Sequence, residues 1–324
     1  MVRILSDADV ASLLDVESLL PVVRDAFVKQ GRGEVERPDR PHFPVGAGLA
    51  GDDPLGTGLV MPAYVHGANH YATKLVAVHE GNVDRGLPTV NAQIALTDAE
   101  TGEPAAFVAG TRITNARTGC IGGLAAAELA PAPVELALVG AGTQARWQAR
   151  CIAEATELES VRVYSPSDSK RECAEELESE LGVPTRAAES PRDAVSNANV
   201  VVTATTATSP VFPSDGLEPG ALVVAVGAFT AEMRELDRAT FERADEVYAD
   251  VPDEAAEIGD LRATDLEADD LVPLSDVLDG RAGRDAESDI VVVESVGTAA
   301  LDAAAGEHVL ERAEATGVGR EVAL

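Results

Sequence analysis

The segment from Leu136 to Ala145 carries the residue types needed to bind a phosphate group. It reads LALVGAGTQA, in which the apolar residues Leu136 to Val139, part of a strand expected over 135–139, are followed by Gly140, Gly142 and Ala145 in the spacing G-x-G-x-x-A. The glycines allow a tight turn and a close approach of the backbone to a pyrophosphate, and the small third residue lets the next helix pack near the sheet. This spacing predicts a dinucleotide-binding turn, with a purely structural glycine turn as the alternative.

The residues after this turn predict the helix and the strand that such a site requires. A helix is expected from about Gln144 to Thr156, with Thr143 and Gln144 at its start. Its free N–H groups and its positive dipole end would then face the phosphates. A second apolar strand, Val161 to Ser165, follows at the distance expected for this fold.

The end of that second strand indicates which dinucleotide is bound. Folds specific for NAD place an acidic residue there, where it binds the ribose 2′-hydroxyl. Here Ser165 is uncharged, and Ser167, Lys170 and Arg171 follow as groups able to receive a 2′-phosphate. We therefore predict NADP(H) in preference to NAD(H), although Asp168 would reach the ribose if the turn were shifted.

A second set of candidate residues consists of cations able to hold a small carboxylate. Lys74 is one of only three lysines in the chain and lies within an apolar strand, where a buried ammonium needs an anionic partner. Arg40 lies in a proline-rich loop, and Arg117 lies at the start of a helix expected over 114–129. Three cations on three elements can converge on one carboxylate, whereas each alone could be an ordinary surface charge.

The hydrophobic pattern predicts the elements that position these residues. A helix capped by Ser6 is expected over 6–30, and short strand-like runs between 59 and 109 indicate a largely antiparallel sheet. Strands then alternate with helices, which is typical of an α/β fold with a Rossmann-type doubly wound parallel sheet. These strands are expected at 135–139, 161–165, 199–203, 222–226, 246–249 and 290–293.

Two domains are expected from this order of elements. Residues 1–118 and 303–324 would form a mixed α+β substrate-binding and dimerisation domain, to which the last helix, about 299–317, returns. Residues 119–302 would form the dinucleotide-binding domain. The segment 250–289 is the most acidic and the least periodic part, so that element boundaries there are not defined by the sequence.

The charge of the chain excludes several classes of partner. Its 324 residues include 56 acidic and 25 basic side chains, for a net charge of −31. Such a surface repels nucleic acid and anionic membranes. Carboxylates that are spread between apolar segments, with almost no lysine, are typical of proteins adapted to molar salt, whereas an acidic tail would concentrate them. We expect a halophilic protein.

Other features of the sequence indicate a cytoplasmic protein without a metal centre. No apolar run is long enough to span a membrane, and the first residues lack the layout of a signal peptide. Three cysteines without C-x-x-C spacing indicate neither disulfides nor a zinc site. His66 and His70 lie in a turn-like segment, and the acidic run 260–270 is expected to be solvated surface.

Short motifs along most of the chain match one protein family. They are Lys74-Leu-Val76, His79-Glu-Gly-Asn82, Gly86-Leu-Pro-Thr-Val90, Thr101-Gly-Glu-Pro104, Arg117-Thr-Gly119, Gly140-Ala-Gly-Thr-Gln-Ala145, Thr203-Ala-Thr-Thr206, Arg234-Glu-Leu-Asp237 and Ser295-Val-Gly-Thr-Ala-Ala-Leu-Asp302. With these motifs the chain resembles the ornithine cyclodeaminase/mu-crystallin family, which includes archaeal alanine dehydrogenases and ketimine reductases.

The resemblance implies roles for particular residues. It implies that Lys74, Arg40 and Arg117 hold the substrate carboxylate beside the nicotinamide, and that Asp302 lies near the nicotinamide in a less defined role. It also implies cofactor contacts from the segments after two later strands, at Thr203, Thr205, Val226 and Gly227. Members of the family form homodimers through the first domain, and we expect a homodimer here.

Three functions are consistent with this resemblance. The first is an NAD(P)-dependent oxidoreductase that moves hydride between nicotinamide and the α-carbon of a small imino or amino acid. The second is an ornithine cyclodeaminase, and the third is a mu-crystallin-like ligand-binding protein with reduced catalysis. Family cyclodeaminases have an aspartate directly after the Gly-Ala pair and a glutamate two positions before the Met-Pro pair. Phe229 and Leu59 stand at these positions.

These two substitutions predict that the chain is not an efficient ornithine cyclodeaminase, because neither side chain can accept a proton. They also leave the proton donor for imine reduction unidentified from the sequence. Glu232 is the acidic residue that lies closest to Phe229 in sequence.

Overall fold

The structure is a computed structural model that describes residues 1–49 and 51–324, and it divides into two compact units. Unit 1 comprises Met1–Arg117 and Thr298–Leu324, and unit 2 comprises Thr118–Gly297. The sequence predicts domain boundaries at 118/119 and 302/303. In the structure the second boundary lies before Thr298, which caps the last helix, and the whole of that helix, Asp302 included, belongs to unit 1.

Unit 1 is a mixed sheet with helices. Its strands are β1 Val2–Leu5, β2 Val35–Glu36, β3 His42–Val45, β4 Gly56–Val65, β5 His70–Val78, β6 Val90–Asp98, β7 Pro104–Ala109 and β16 Arg320–Val322. Its helices are α1 Asp7–Leu13, α2 Val16–Gly31, the first part of α3 Gly110–Leu129, α11 Ala299–Thr316 and a 3-10 turn at Glu80–Arg85.

The strands of unit 1 lie in the order β16-β1-β7-β6-β5-β4-β2, with β3 also paired to β4. All pairs are antiparallel except β1 with β7, which confirms the expected largely antiparallel sheet. Helix α11 packs on β4, β5 and β6 and beside α2. The face of the sheet that carries Met61, Lys74 and Ile94 is therefore the buried one.

The helix expected over 6–30 is two helices. Ser6 caps α1 as predicted, since its side chain accepts from the Asp9 amide while the Asp9 carboxylate accepts from the Ser6 amide. The chain is then extended at Leu14 and Asp15, and the Asp15 side chain caps α2 by accepting from the Ser18 amide. An internal aspartate that caps a new helix ends the apolar periodicity of the first one.

Helix α3 begins earlier than the expected residue 114, and this changes the position of Arg117. Strand β7 ends at Ala109 and the helix begins at Gly110, with no loop between them. A Cβ atom at Gly110 would lie 3.0 Å from the Ile94 side chain and 3.2 Å from the Ala92 backbone, so this direct turn needs a glycine. Arg117 therefore lies two turns inside the helix rather than at its start.

Unit 2 is a parallel sheet with helices between its strands. The strands are β8 Val134–Val139, β9 Leu158–Tyr164, β10 Thr185–Ala187, β11 Val200–Thr203, β12 Leu222–Ala225, β13 Glu246–Ala249, β14 Val272–Pro273 and β15 Val291–Glu294. The helices are the rest of α3, α4 Thr143–Ala155, α5 Ser169–Leu181, α6 Pro191–Val195, α7 Arg238–Arg243, α8 Pro252–Ala255, α9 Gly259–Arg262 and α10 Leu274–Leu278, with 3-10 turns at Ser214–Gly216 and Ala268–Asp270.

The strand order of unit 2 is β10-β9-β8-β11-β12-β15-β13-β14, and every pair is parallel. When the six strands from β10 to β15 in this sheet order are numbered among themselves along the chain, they have the order 3-2-1-4-5-6 of a dinucleotide-binding fold. Strands β11, β12 and β15 are buried along their whole length, as expected for a sheet covered on both faces. The predicted Rossmann-type doubly wound sheet with a second, mixed domain is confirmed.

The acidic segment after residue 250 is more structured than its sequence suggested. It contains α8, α9, β14 and α10. Asp265, Asp269 and Asp270 are exposed as expected, but Asp260 is buried. The expectation of a solvated surface was wrong for Asp260 because its carboxylate accepts from the backbone amides of Glu235 and Leu236, at 2.7 and 2.6 Å. Within the described ranges, no helix has the length and apolarity that a membrane span needs.

Candidate active site

Unit 1 buries a cluster of two cations around one carboxylate. Asp302 Oδ2 accepts from Lys74 Nζ at 2.5 Å, and Asp302 Oδ1 accepts from Arg117 Nε at 3.0 Å. All three side chains are at most 5% exposed. Lys74 comes from the inner face of β5, Arg117 from α3 and Asp302 from the first turn of α11. Three separate elements therefore converge on one point.

The surroundings of this cluster explain its protonation. Burial, with smaller contributions from the charges of Arg117 and Arg40, outweighs the opposing effect of Asp302 and lowers the pKa of Lys74 to about 8. Burial also acts to raise the pKa of Asp302, but the charges of Arg117 and Lys74 outweigh it, so that this pKa lies below its usual value. The position of Asp302 at the positive end of α11 also favours its ionised form. Asp302 is thus a fixed anion, while Lys74 is an unusually acidic ammonium.

Arg40 approaches the cluster through the pairing of neighbouring strands. The antiparallel register joins His42 to Leu59, and the Val60 amide donates to the Pro41 carbonyl. Continuing this register places Arg40 level with Met61, which pairs directly with Lys74. The summed charge of these side chains is positive, because three cations, Lys74, Arg40 and Arg117, outnumber the single anion Asp302. This charge is chemically suited to a small carboxylate.

Unit 2 places the glycine-rich turn at the carboxyl end of β8, where the strand order reverses between β8 and β11. Gly140 has a φ of +124°, and a Cβ atom there would lie 2.5 Å from the Ala204 carbonyl oxygen. Gly142 begins α4, and among the described residues no side chain caps that helix. Gly142 and Thr143 are exposed, Gln144 is half-buried, and Ala145 is buried under the helix. This turn has the backbone space and the helix terminus that a dinucleotide phosphate requires.

The end of β9 presents hydroxyl groups and one exposed ion pair. Ser165 follows the strand and contacts the Ser167 hydroxyl at 3.2 Å. Arg171 and Asp168 are both exposed, with 3.7 Å between the guanidinium and the carboxylate. Lys170 instead donates to the Ala188 carbonyl and lies over the Tyr164 ring. Of the predicted 2′-phosphate ligands, Ser167 and Arg171 are therefore the accessible ones.

The segments after β11 and β12 are joined by a buried carboxylate that the sequence analysis did not select. Glu235 Oε2 accepts from Thr203 Oγ1 at 2.9 Å and from the Gly227 amide at 2.8 Å, and Glu235 Oε1 accepts from the Thr205 amide at 2.6 Å. The half-buried Val226 lies between these points. The Thr203 side chain faces inward, so only its neighbours are accessible to a ligand. The Arg-Glu-Leu-Asp motif around Glu235 was the available signal.

Positions 229 and 59, where family cyclodeaminases have carboxylates, have apolar surroundings in the structure. Phe229 packs against the hydrophobic core of unit 2, and Leu59 lies on β4 opposite Val76 of β5. Glu232 is exposed. His66 contacts Glu36 and His70 contacts Glu307, and no group of three or more metal-ligating side chains occurs in the described parts of the chain.

Comparison with known proteins identifies the family. The model of the ornithine cyclodeaminase/mu-crystallin family matches residues 2–317. The chain belongs to this family. A Delta(1)-pyrroline-2-carboxylate reductase of Bacillus cereus is 31% identical over 293 residues, which cover 88% of this chain and 90% of the relative.

Two solved structures of the family superpose on nearly the whole chain. The Thermococcus litoralis Delta(1)-pyrroline-2-carboxylate reductase in complex with NADH and L-proline has a TM-score of 0.92 and 30% identity, covering 99% of this chain and 100% of that one. An archaeal alanine dehydrogenase dimer with bound NAD has a TM-score of 0.88 and 26% identity, covering 99% of each chain. These two family members are thus a reductase and a dehydrogenase.

Proposed function

We propose that this protein is a nicotinamide-dependent reductase of a small cyclic imino acid, of the Delta(1)-pyrroline-2-carboxylate type. The observation that carries the proposal is the buried, net positive cluster of Lys74 and Arg117 on Asp302, with the half-buried Arg40 near enough to act on the pKa of Lys74. Such a cluster suits an α-carboxylate anion of small size. The names of the similar reductases agree with this substrate class.

Each residue of the cluster has a distinct task in this reaction. Arg117 and Arg40 hold the substrate carboxylate, since guanidinium groups bind carboxylates in fixed geometry. Asp302 is a positioning residue that keeps the Lys74 and Arg117 side chains in place through its two oxygens. The Gly140–Ala145 turn would hold the phosphates of a nicotinamide dinucleotide, and the reduced form of that cofactor would supply the hydride.

Lys74 is the proton donor in the proposed reaction. When hydride adds to the carbon of the C=N bond, the nitrogen must gain one proton to become a secondary amine. Burial lowers the pKa of Lys74 to about 8, which brings this ammonium close to the pH at which an acid catalyst is effective. Lys74 then recovers its proton from water, and the carboxylate of Asp302 stays ionised throughout.

NADPH is the proposed reductant. An acidic residue for the ribose 2′-hydroxyl is absent from position 165, and Ser167 and Arg171 are accessible beside it. The similar structures hold NADH or NAD, so this preference would distinguish the chain from those relatives.

The proposal is tested by turnover of a substrate panel in molar potassium chloride. Delta(1)-pyrroline-2-carboxylate, its six-membered homologue, and pyruvate with ammonia are each offered with NADPH and with NADH. Oxidation of the cofactor with the cyclic imines, and formation of proline from the first of them, is the expected result. Cofactor binding without turnover of any member of the panel would instead indicate a ligand-binding protein.

A homodimer is proposed from the outer face of the unit 1 sheet. Successive strands present Val60, Pro62, Tyr71, Thr73, Leu75, Gln93, Ala95, Thr97 and Phe107 on this face, none of them charged. Tyr71, Leu75 and Phe107 are each 40–44% exposed. An uncharged, partly aromatic face on a chain of net charge −31 is suited to a second copy of the same face.

The mass in solution tests the dimer. Leu75→Lys places a charge at the centre of the face and is expected to yield a monomer by light scattering. Leu87→Lys is the matched control, because Leu87 is more exposed, at 54%, and lies outside the strands. A monomeric wild type, or a dimer that survives Leu75→Lys, would contradict the proposal.

A further inference from the structure

The carboxyl edge of the unit 2 sheet contains a buried carboxylate that the reaction does not use. Glu235 is completely buried, and its three hydrogen-bond donors are the Thr203 hydroxyl at the end of β11 and the amides of Thr205 and Gly227 in the segments after β11 and β12. Carboxylates are rarely buried without a basic partner. Here backbone amides and a hydroxyl replace that partner, so the three donors are the only described hydrogen-bond partners of this charge.

These segments are in direct contact with the phosphate-binding turn. A Cβ atom at Gly140 would lie 2.5 Å from the Ala204 carbonyl oxygen and 3.4 Å from the Thr205 side chain. A Cβ atom at Gly227 would lie 2.2 Å from the Thr205 carbonyl oxygen and 2.6 Å from Glu235 Oε1. The turn, the segment after β11 and the segment after β12 therefore form one packed layer, and the Glu235 carboxylate lies beneath it.

We infer that Glu235 is a positioning residue for the dinucleotide: its ionised carboxylate holds the segments at Thr205 and Gly227 in the conformation that binds the cofactor, and its protonation weakens that binding. This inference rests on the proposed use of a nicotinamide dinucleotide. An ionised carboxylate accepts only, which matches the amides of Thr205 and Gly227. A protonated one carries an O–H group, which neither of these two amides can accept, so that only the Thr203 hydroxyl is left as its acceptor.

The groups around Glu235 bring this protonation into the neutral range. Burial, together with a smaller effect of the nearby Asp260 charge, raises the pKa of Glu235 to about 7. The hydrogen bonds from its donors oppose this shift. Asp260, on α9, has its own pKa raised by burial to about 6, with Arg234 acting in the opposite direction. Burial, together with the charges of Asp260, Glu235 and Asp250, raises the pKa of Glu294, at the end of β15, well above its usual value.

Glu235→Gln tests the inference directly. The amide keeps the shape but offers one acceptor oxygen, so that the Thr205 or the Gly227 amide must face an NH₂ group. A lost hydrogen bond to a charged group corresponds to about a tenfold to hundredfold weaker Kd for the cofactor. Glu218→Gln is the control, because it removes the same charge from an exposed position of unit 2.

The pH dependence of cofactor binding separates positioning from a general loss of stability. NADH is the probe because, unlike NADPH, it has no 2′-phosphate that titrates near neutrality. Its Kd, measured calorimetrically in molar salt, is expected to rise about tenfold or more for the wild type as pH falls from about 8.5 to about 5.5. Glu235→Gln should bind weakly at every pH, without this inflection.

Thr203→Val provides a second test that retains the carboxylate. It removes one of the donors that favour the charged form, so the midpoint of the wild-type profile should move to higher pH. A flat wild-type profile, an inflection kept by Glu235→Gln, or an unmoved midpoint in Thr203→Val would overturn the inference. Failure of the wild type to bind either dinucleotide at any pH would instead overturn the proposed function.

Discussion

Replacing Lys74 by methionine removes the buried ammonium and keeps most of its volume. In the structure, Lys74 is 1% exposed and contacts Asp302 at 2.5 Å, so its replacement leaves the Asp302 carboxylate without this cation. The variant loses a charge-assisted contact and the proposed proton donor together. Each tenfold loss of rate corresponds to about 1.4 kcal/mol, and a charged hydrogen bond contributes about 1.5–3 kcal/mol. The lost contact alone accounts for about one to two orders of magnitude, and the loss of the proton donor adds to it, so that we predict a kcat/KM lower by about two to three orders of magnitude.

The pH profile shows whether Lys74 is the donor. Because its pKa is lowered to about 8, the wild type should lose kcat/KM for imine reduction as pH rises through that value and the ammonium loses its proton. Lys74→Met should lack this alkaline limb. The matched control is Lys29→Met in the same unit, since Lys29 pairs with Asp25 at the surface. Initial rates of cofactor oxidation measure all three proteins. A near-native kcat/KM in Lys74→Met, or the same alkaline limb, would refute the reasoning.

Three further predictions concern the cofactor, the reaction and the solvent. The kcat/KM for NADPH should exceed that for NADH. Arg171→Ala should lower the kcat/KM for NADPH and leave that for NADH unchanged. A large preference of the wild type for NADH would contradict the proposed cofactor. L-ornithine with catalytic oxidised cofactor should give no efficient formation of proline, because Phe229 and Leu59 carry no carboxylate; rapid release of ammonia without added reductant would show that this reasoning is wrong. The Tm should rise steeply with potassium chloride, since molar salt shortens the screening length to about 3 Å around a chain of net charge −31; an unchanged Tm in dilute buffer would exclude halophilic adaptation.

The sequence predicted the elements whose local signals agree with their final environment. Valine-rich runs such as Val291–Glu294 are buried on both faces of a parallel sheet, so their apolar pattern alone locates the strand. The Gly140–Ala145 turn could also be predicted, because a tight turn requires small residues at a specific spacing. The family resemblance then added Lys74, Arg40 and Arg117 as a predicted carboxylate site, whereas the pairing of Lys74 and Arg117 with Asp302 is known only from the structure.

What the sequence did not reveal depends on contacts between distant residues. Asp260 resembles its exposed acidic neighbours, and only the backbone amides of Glu235 and Leu236 make its burial favourable. Arg117 was placed at a helix start because the turn at Gly110 is defined by contact with β6 rather than by a capping residue. The short edge strands β2 and β14 are two residues each, which is too few for any periodicity to appear.

The interruption of unit 1 by unit 2 has a consequence for biosynthesis. All of unit 2 leaves the ribosome as one continuous stretch, and it contains every strand of its own sheet before residue 298 is made. The sheet of unit 1 has to wait, because α11 covers its inner face and β16 completes its edge. Until then Lys74 lies in an apolar layer without the carboxylate of Asp302, and a lone buried ammonium is unfavourable. The strands of unit 2 are therefore all present before residue 298 is made, whereas unit 1 can be completed only after residues 298–324 have been synthesised.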